Sequence, residues 1–353
     1  MITQIRKLNQ NPVMKKTFFI VAIVVFVFQS KAQQSSFGFC ETIQEWSKFR
    51  IVSGPLPDSL RKILVVTTRP FEPDNPEGIY FQNEIAGNRK VTYIEAACNG
   101  REWLLHPVEN LTEGMKSVDT GKDLLLFVHG HGKSFNMTLT SASQISNRYD
   151  IGLILYDWPA QNSNFNKSLA RVRRCSDNFY NLLLDLKTYR QHNMEKTQHL
   201  SVLAHSLGNY FLSYLSVNGN WQYMNDPFID NILFNAPAIR SEEHGPIISL
   251  LRFSERKYVA LNKNDRVLRG AQLLTSGKML GNQILGQKAE NTLYADFTNI
   301  AGKQHNWLLG YHSFEYTNPG IFYFFNTVLH GGEVDFSKSF FSPAGENVFF
   351  VLP

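Results

Sequence analysis

The pentapeptide Ala204-His205-Ser206-Leu207-Gly208 could supply a nucleophile for acyl transfer. An apolar run that predicts a strand precedes it, and the residues that follow predict a helix. A tight turn from strand to helix needs small residues two positions before and two positions after the serine, as Ala204 and Gly208 are. Such a turn presents the Ser206 hydroxyl at the carboxyl end of a sheet, beside a helix N-terminus whose N–H groups stabilise negative charge. The alternative is a serine that only caps this helix.

A second candidate is the loop His129-Gly130-His131-Gly132, which directly follows the apolar run Leu124 to Val128. Glycines let such a loop approach a substrate closely, so that a backbone N–H can stabilise an oxyanion. Two other interpretations remain open. Gly132-Lys133-Ser134 ends like a phosphate-binding P-loop, although that motif needs glycine where this chain has Phe127. The two histidines could also be half of a metal site, but no acidic residue lies near them in sequence.

A serine nucleophile needs a histidine base and an acid that orients it, in the chain order serine, acid, histidine for this type of sheet. Asp265 follows a predicted strand ending at Leu261 and is the candidate acid. His305 and His312 both lie in the window expected for the base. We expect His312, because it is nearer to the last predicted helix and has aromatic neighbours, whereas the residues around His305 are polar and favour a solvated loop.

The elements that must position these residues alternate between strands and helices from residue 62 onward. This alternation favours a mostly parallel sheet of about eight strands, with helices on both faces, in a single α/β domain. Strands are predicted at 62–68, 90–97, 124–128, 151–156, 199–204, 231–234, 257–261 and 291–295, and helices at 166–190, 207–217 and 320–329.

Several short sequences between about Lys62 and Leu329 resemble those of uncharacterised bacterial serine hydrolases in the alpha/beta-hydrolase superfamily. This resemblance implies an alpha/beta-hydrolase fold and a triad of Ser206, Asp265 and His312, with an oxyanion hole formed by the backbone N–H groups of His131 and Leu207. The sequences that carry it are Phe127-Val128-His129-Gly130, Tyr156-Asp157-Trp158-Pro159, Ala204 to Asn209, Asn264-Asp265 and His312-Ser313.

One position departs from the pattern of the family. Where the family typically has an aspartate after Ala-Pro, this chain has Ala236-Pro237-Ala238. The departure removes a competing acid and leaves Asp265 as the candidate. It also indicates that contacts with the substrate could differ from those in the family.

Residues 1–32 have the features of a secretory signal peptide. Met14-Lys15-Lys16 is basic, Phe18 to Phe28 is an unbroken run of eleven apolar residues, and Ser30-Lys31-Ala32 provides small residues before a cleavage point. A membrane span takes about 20 apolar residues, so we expect cleavage and no stable membrane span, with an uncleaved anchor as the alternative. The protein is therefore expected to be exported, to the periplasm or beyond.

The charge of the remaining chain argues against a nucleic-acid-binding protein. The whole chain has 353 residues, of which 35 are basic and 30 acidic. Five of the basic residues and none of the acidic residues lie within 1–32, so the rest of the chain has no net charge. A nucleic-acid-binding protein would need a basic excess.

The expected organisation is a signal peptide (1–32), an N-terminal extension (33–60), an alpha/beta-hydrolase domain (61–330) and a C-terminal extension (331–353). An oxidising compartment would allow one disulfide among Cys40, Cys98 and Cys175. The pair Cys40–Cys98 is the first guess, because Cys175 falls within a predicted helix, but all three pairings stay open.

These observations predict an exported serine hydrolase that acts on small carboxylic esters through an acyl-enzyme, without a cofactor or a metal ion. One alternative is a lipase or peptidase with the same triad. Another is a binding protein that has kept the fold and lost catalysis.

Overall fold

The computed structural model describes residues 48–87, 90–160, 164–219, 224–275, 277–308 and 318–353. Within them, one mixed sheet of twelve strands runs in the order β1-β4-β3-β2-β6-β5-β7-β8-β9-β10-β12-β11. The strands are β1 (Phe49–Ile51), β2 (Lys62–Thr67), β3 (Thr92–Cys98), β4 (Trp103–Val108), β5 (Leu124–Val128), β6 (Gly152–Asp157), β7 (Leu200–His205), β8 (Ile229–Asn235), β9 (Ser254–Leu261), β10 (Thr292–Asp296), β11 (Phe341–Gly345) and β12 (Val348–Val351).

The central strands β5 to β8 are buried along their whole lengths. They pair in parallel and consist largely of leucine, isoleucine, valine and phenylalanine, as strands covered on both faces must. The antiparallel pairs lie towards the edges, where β3 pairs with β2 and β4, and β11 pairs with β12.

Helices connect the strands and begin at residues suited to that position. Asn110, Ser134, Asn164 and Asn318 each cap a helix by accepting a hydrogen bond from a backbone N–H of its first turn. The helices are α1 (Leu111–Val118), α2 (Phe135–Tyr149), α3 (Phe165–Asn193), α4 (Asn209–Val217), α5 (His244–Ser249), α6 (Arg266–Thr275) and α7 (Pro319–Leu329), with a 3₁₀ turn at Ser206–Gly208 before α4.

The strand order reverses its direction around β5. The chain leaves β5 for β6 on one side and then crosses to β7 on the other side. In open α/β sheets, ligands bind outside the carboxyl ends of the strands at such a switch point. The loop after β5 and the serine after β7 both lie at this position.

All eight predicted strands are present, within three residues of their expected ends. The sheet also contains β1, β4, β11 and β12, which the sequence did not predict. Strand β1 lies in the region expected to be an N-terminal extension, and β11 and β12 lie in the expected C-terminal extension. Both regions therefore contribute strands to the same sheet as the expected domain.

The expected signal peptide (1–32) and Cys40 lie outside the described residues. Of the two described cysteines, Cys98 is half-buried and Cys175 is buried, and each is a free thiol. Burial raises the pKa of Cys175 to about 11. In the described part of the chain, no helix is long and apolar enough to cross a membrane.

Candidate active site

Ser206 lies in the turn between β7 and the following 3₁₀ helix, and its φ of +54° is in the left-handed region. At two positions around this turn, the space admits only glycine. A Cβ on Gly208 would lie 2.6 Å from the carbonyl oxygen of His129, and a Cβ on Gly130 would lie 2.7 Å from the Cβ of Ser206. The strained serine and its two close glycines are the geometry expected of a nucleophile turn.

Asp265 follows β9 and is fully buried at the start of α6. Its Oδ1 accepts hydrogen bonds from the backbone N–H groups of Val267, at 2.9 Å, and Leu268, at 3.1 Å. These bonds fix the carboxylate as the cap of the helix, and its second oxygen, Oδ2, remains directed at a histidine.

That histidine is His305, in the loop that follows β10. Its Nδ1 lies 2.5 Å from Asp265 Oδ2, and its Nε2 lies 2.9 Å from Ser206 Oγ. A carboxylate can only accept hydrogen bonds, so Nδ1 carries a proton and Nε2 can act as the acceptor for the serine hydroxyl. The side chain of His305 is 15% exposed, whereas that of Asp265 is fully buried.

The sequence led us to expect His312 as the base, with His305 as the alternative. His312 lies outside the described residues. The described geometry places His305 between the serine and the acid, and therefore favours His305 for the role that the resemblance gave to His312. The polar sequence around His305 suggested a solvated loop, but the nearby Trp307 is fully buried and its ring is 5.6 Å from that of Phe297.

The loop after β5 lies against the serine, as Gly130 shows, but its two histidines have separate partners. His129 Nδ1 lies 2.9 Å from the carbonyl oxygen of Gly130, and His129 Nε2 accepts from the backbone N–H of Trp158 at 3.1 Å. His131 Nδ1 lies 2.8 Å from Ser168 Oγ on α3. Among the described residues, no group of three or more histidine, cysteine or acidic side chains is arranged to hold a metal ion.

A buried ion pair supports this loop. Arg69 and Asp157 are both almost completely buried, with Nε and Oδ2 2.7 Å apart. The Arg69 guanidinium also donates to the carbonyl oxygens of Trp158, at 3.0 Å, and Lys133, at 3.4 Å. Burial alone would raise the pKa of Asp157, but the Arg69 guanidinium holds that pKa well below its usual range. The sequence analysis missed this pair, because its partners are 88 residues apart.

Two further histidines near the serine have lowered pKa values. Burial, and after it the proximity of His305, holds the pKa of His205 well below its usual value. Asn235 Nδ2 lies 3.1 Å from His205 Nδ1, and the rings of His205 and His305 are 4.8 Å apart. Burial and the Arg171 guanidinium lower the pKa of His131. The neutral forms of His205 and His131 are therefore favoured.

Ala238, at the position where the family typically has an aspartate, is buried next to the nucleophile. Its backbone N–H donates to the carbonyl oxygen of Ser206 at 3.2 Å. A methyl group stands there in place of a carboxylate, and the acid that meets the histidine comes from the loop after β9 instead.

A strand-turn-helix serine, an acid after β9 and a histidine after β10 on a mostly parallel sheet define the alpha/beta-hydrolase fold. The chain belongs to the family described as alpha/beta hydrolase of unknown function (DUF900), which matches residues 108–299. No curated protein matches the chain significantly. A solved structure of an arylesterase aligns with 87% of this chain and 95% of its own, at 9% identity and a TM-score of 0.35.

Proposed function

We propose that this protein is a serine hydrolase that cleaves carboxylic esters through a triad of Ser206, His305 and Asp265. The observation that carries the proposal is the continuous chain of hydrogen bonds from Ser206 Oγ through both ring nitrogens of His305 to Asp265. A serine that only capped a helix would not need a histidine and a buried carboxylate lined up behind it.

The hydrogen-bond pattern supports one direction of proton transfer. His305 Nε2 takes the hydroxyl proton as Ser206 Oγ attacks the acyl carbon, and later returns it to the leaving alcohol. Asp265 keeps the other proton on Nδ1 and stabilises the imidazolium that forms. Because two backbone N–H groups hold Asp265 Oδ1, the carboxylate cannot rotate away from the ring during this step.

The negative oxygen that develops during attack would be stabilised by the backbone N–H groups of Leu207 and His131. Leu207 follows the serine in the first turn of a helix, where N–H groups have no partner within the helix. His131 follows Gly130, which lies in contact with the serine. Removing one oxyanion donor from such a site typically costs about 100- to 1000-fold in rate.

Carboxylic esters are the substrate class that this arrangement suits without further machinery, since the triad needs no cofactor. We further propose that residues 1–32 direct export and that the protein acts outside the cytoplasm. Lipid and peptide substrates use the same chemistry, so only a comparison of substrates separates them from small esters.

The test is a panel of esters of increasing acyl length, with a lipid and a peptide substrate, assayed on purified protein and on Ser206→Ala. Loss of a nucleophile costs about a million-fold, so the variant should be inactive while it unfolds at the same temperature as the wild type. A fluorophosphonate should label the wild type at Ser206 alone. Retention of more than a tenth of the activity by the variant would contradict a serine mechanism, and a wild type that neither labels nor turns over would indicate a binding protein.

A further inference from the structure

Asn262 occupies the point at which the loops that carry the acid and the base meet. It directly follows β9, is fully buried and lies three residues before Asp265. The contacts of its side-chain amide are with backbone groups of both loops.

On the side of the base, the Asn262 amide forms hydrogen bonds with the backbone just before His305. Its Nδ2 donates to the carbonyl oxygens of Gly302, at 3.1 Å, and Gln304, at 2.9 Å. Gln304 is the residue directly before His305. Both side-chain N–H groups of the asparagine are therefore used to hold the backbone on the approach to the histidine.

Towards the acid, Asn262 shapes the turn that ends in Asp265. Its Oδ1 accepts from the backbone N–H of Asn264 at 2.9 Å, and its carbonyl oxygen accepts from the backbone N–H of Asp265 at 3.1 Å. Asn282 donates from Nδ2 to the carbonyl oxygens of Asn262 and Asp265, at 3.0 and 3.2 Å. One buried side chain thus connects both loops.

We infer that Asn262 is a positioning residue, which sets the distance of His305 from both Ser206 and Asp265. The inference rests on the proposed triad. A single side chain, that of Asn262, donates to the carbonyl oxygens of both Gly302 and Gln304. Asn262 acts on the histidine through the backbone.

A second set of contacts between the same loops, a hydrogen bond and an ion pair, lies farther from the histidine. The backbone N–H of Lys263 donates to Thr298 Oγ1 at 2.9 Å, and Lys263 Nζ lies 2.9 Å from Asp296 Oδ2. These contacts hold the beginning of the base loop, just after β10. Their presence means that loss of the Asn262 amide should displace the end of the loop without releasing it from the sheet.

The effect should appear in kcat more than in KM. Misplacement of a catalytic group by about 1 Å can cost roughly a hundredfold in rate, and His305 acts in proton transfer. We therefore expect Asn262→Leu, which has a similar shape and no hydrogen-bonding groups, to lower kcat about a hundredfold while KM changes less than about threefold.

Asn231 offers a matched control near the opposite end of the sheet. It is equally buried, and its Nδ2 also donates to two carbonyl oxygens, those of Val328 at 2.9 Å and Gly332 at 2.8 Å. Asn231→Leu should lower the melting temperature by an amount similar to Asn262→Leu and leave kcat within about threefold of the wild type. Equal losses of kcat in both variants would overturn the inference, as would an unchanged kcat in Asn262→Leu. If leucine prevents folding, Asn262→Ala removes the same bonds without added bulk.

A double-mutant cycle with His305→Ala separates positioning from a general structural role. The readout is the rate at which a fluorophosphonate labels Ser206. If Asn262 acts through His305, Asn262→Leu should slow labelling about a hundredfold in the wild-type background and less than threefold in the His305→Ala background. Equal slowing in both backgrounds would overturn the inference. Undiminished labelling in His305→Ala alone would instead contradict the proposed triad.

Discussion

The two ends of the sheet each hold an aspartate–histidine pair, and the pairs differ in what lies beyond the histidine. At the carboxyl end, Asp265 meets His305, whose second nitrogen faces the Ser206 hydroxyl. At the amino end, Asp123 Oδ2 lies 2.7 Å from His330 Nδ1, and His330 Nε2 lies 2.8 Å from the carbonyl oxygen of Tyr149. The carboxylate is common to both ends, so it cannot be what distinguishes a catalytic pair.

The third partner decides what each histidine can do. A hydroxyl can donate, so His305 can accept a proton while Asp265 holds the other one. A carbonyl oxygen can only accept, so His330 donates to both of its partners only when the ring is protonated. The hydrogen bond from His330 to Asp123 raises the pKa of His330 accordingly. The Tyr149 carbonyl lies at the end of α2, where the helix dipole also favours a cation.

Exchanging each aspartate for asparagine tests this contrast with the largest expected effect. Asp265→Asn should lower kcat about 10,000-fold, because an amide no longer fixes the tautomer that lets His305 accept the serine proton. Asp123→Asn should change kcat less than about threefold, since its histidine does not meet a reacting group. Steady-state kinetics on a single ester measure both. Similar losses in the two variants would show that the comparison between the ends is wrong.

The central strands of the sheet could be predicted from the sequence, whereas four strands towards its two edges could not. The strands β5, β6 and β7 are largely apolar and buried on both faces, which makes them recognisable, and the other predicted strands each contain a shorter apolar run. The four missed strands are short or irregular. Strand β1 has three residues, β4 contains Pro107, and β11 contains Pro343 beside a break in register. Each of these strands is defined by its pairing with a neighbouring strand of the sheet, and the local sequence does not reveal that pairing.

Within the candidate site, local sequence singled out Ser206 and Asp265 individually but left two histidines for the base. Ser206 and Asp265 each follow a recognisable strand, so local sequence suffices. The sequence left His305 and His312 as alternatives for the base.

The side chain that holds the backbone before His305 is Asn262, about 40 residues earlier in the chain. The polar sequence around His305 suggested a solvated loop. The hydrogen bonds from the buried Asn262 amide to the carbonyl oxygens of Gly302 and Gln304 could not be seen in that local sequence.

Replacing His330, at the amino end of the sheet, is expected to have a smaller effect. It should change the free energy of unfolding and not kcat. The folded protein raises the pKa of His330 above that of the unfolded chain, which is about 6.5. The stability from this pair is therefore fully present below about pH 6.5 and is lost as pH rises through the folded value. His330→Gln should lower the free energy of unfolding by about 1–3 kcal/mol at pH 6, as expected for bonds to a charged group.

The same variant should differ less from the wild type at pH 9, where a smaller fraction of His330 is charged than at pH 6. Burial opposes ionisation of Asp123, but the bonds from His330 and His199 hold the pKa of Asp123 below its usual range, so it stays ionised at both pH values. Urea titrations at pH 6 and pH 9 measure the difference. A loss that is equal at both pH values would contradict a stabilising contribution that depends on the protonation of His330.

The most direct test of the account is the identity of the base at the carboxyl end. His305→Ala and His312→Ala should each be prepared as folded protein and assayed for kcat on the ester that the wild type cleaves best. We expect His305→Ala to lose at least about a thousandfold, as for other triads, and His312→Ala to lose less than about tenfold. The reverse result, with His312 essential and His305 dispensable, would contradict the triad of Ser206, His305 and Asp265.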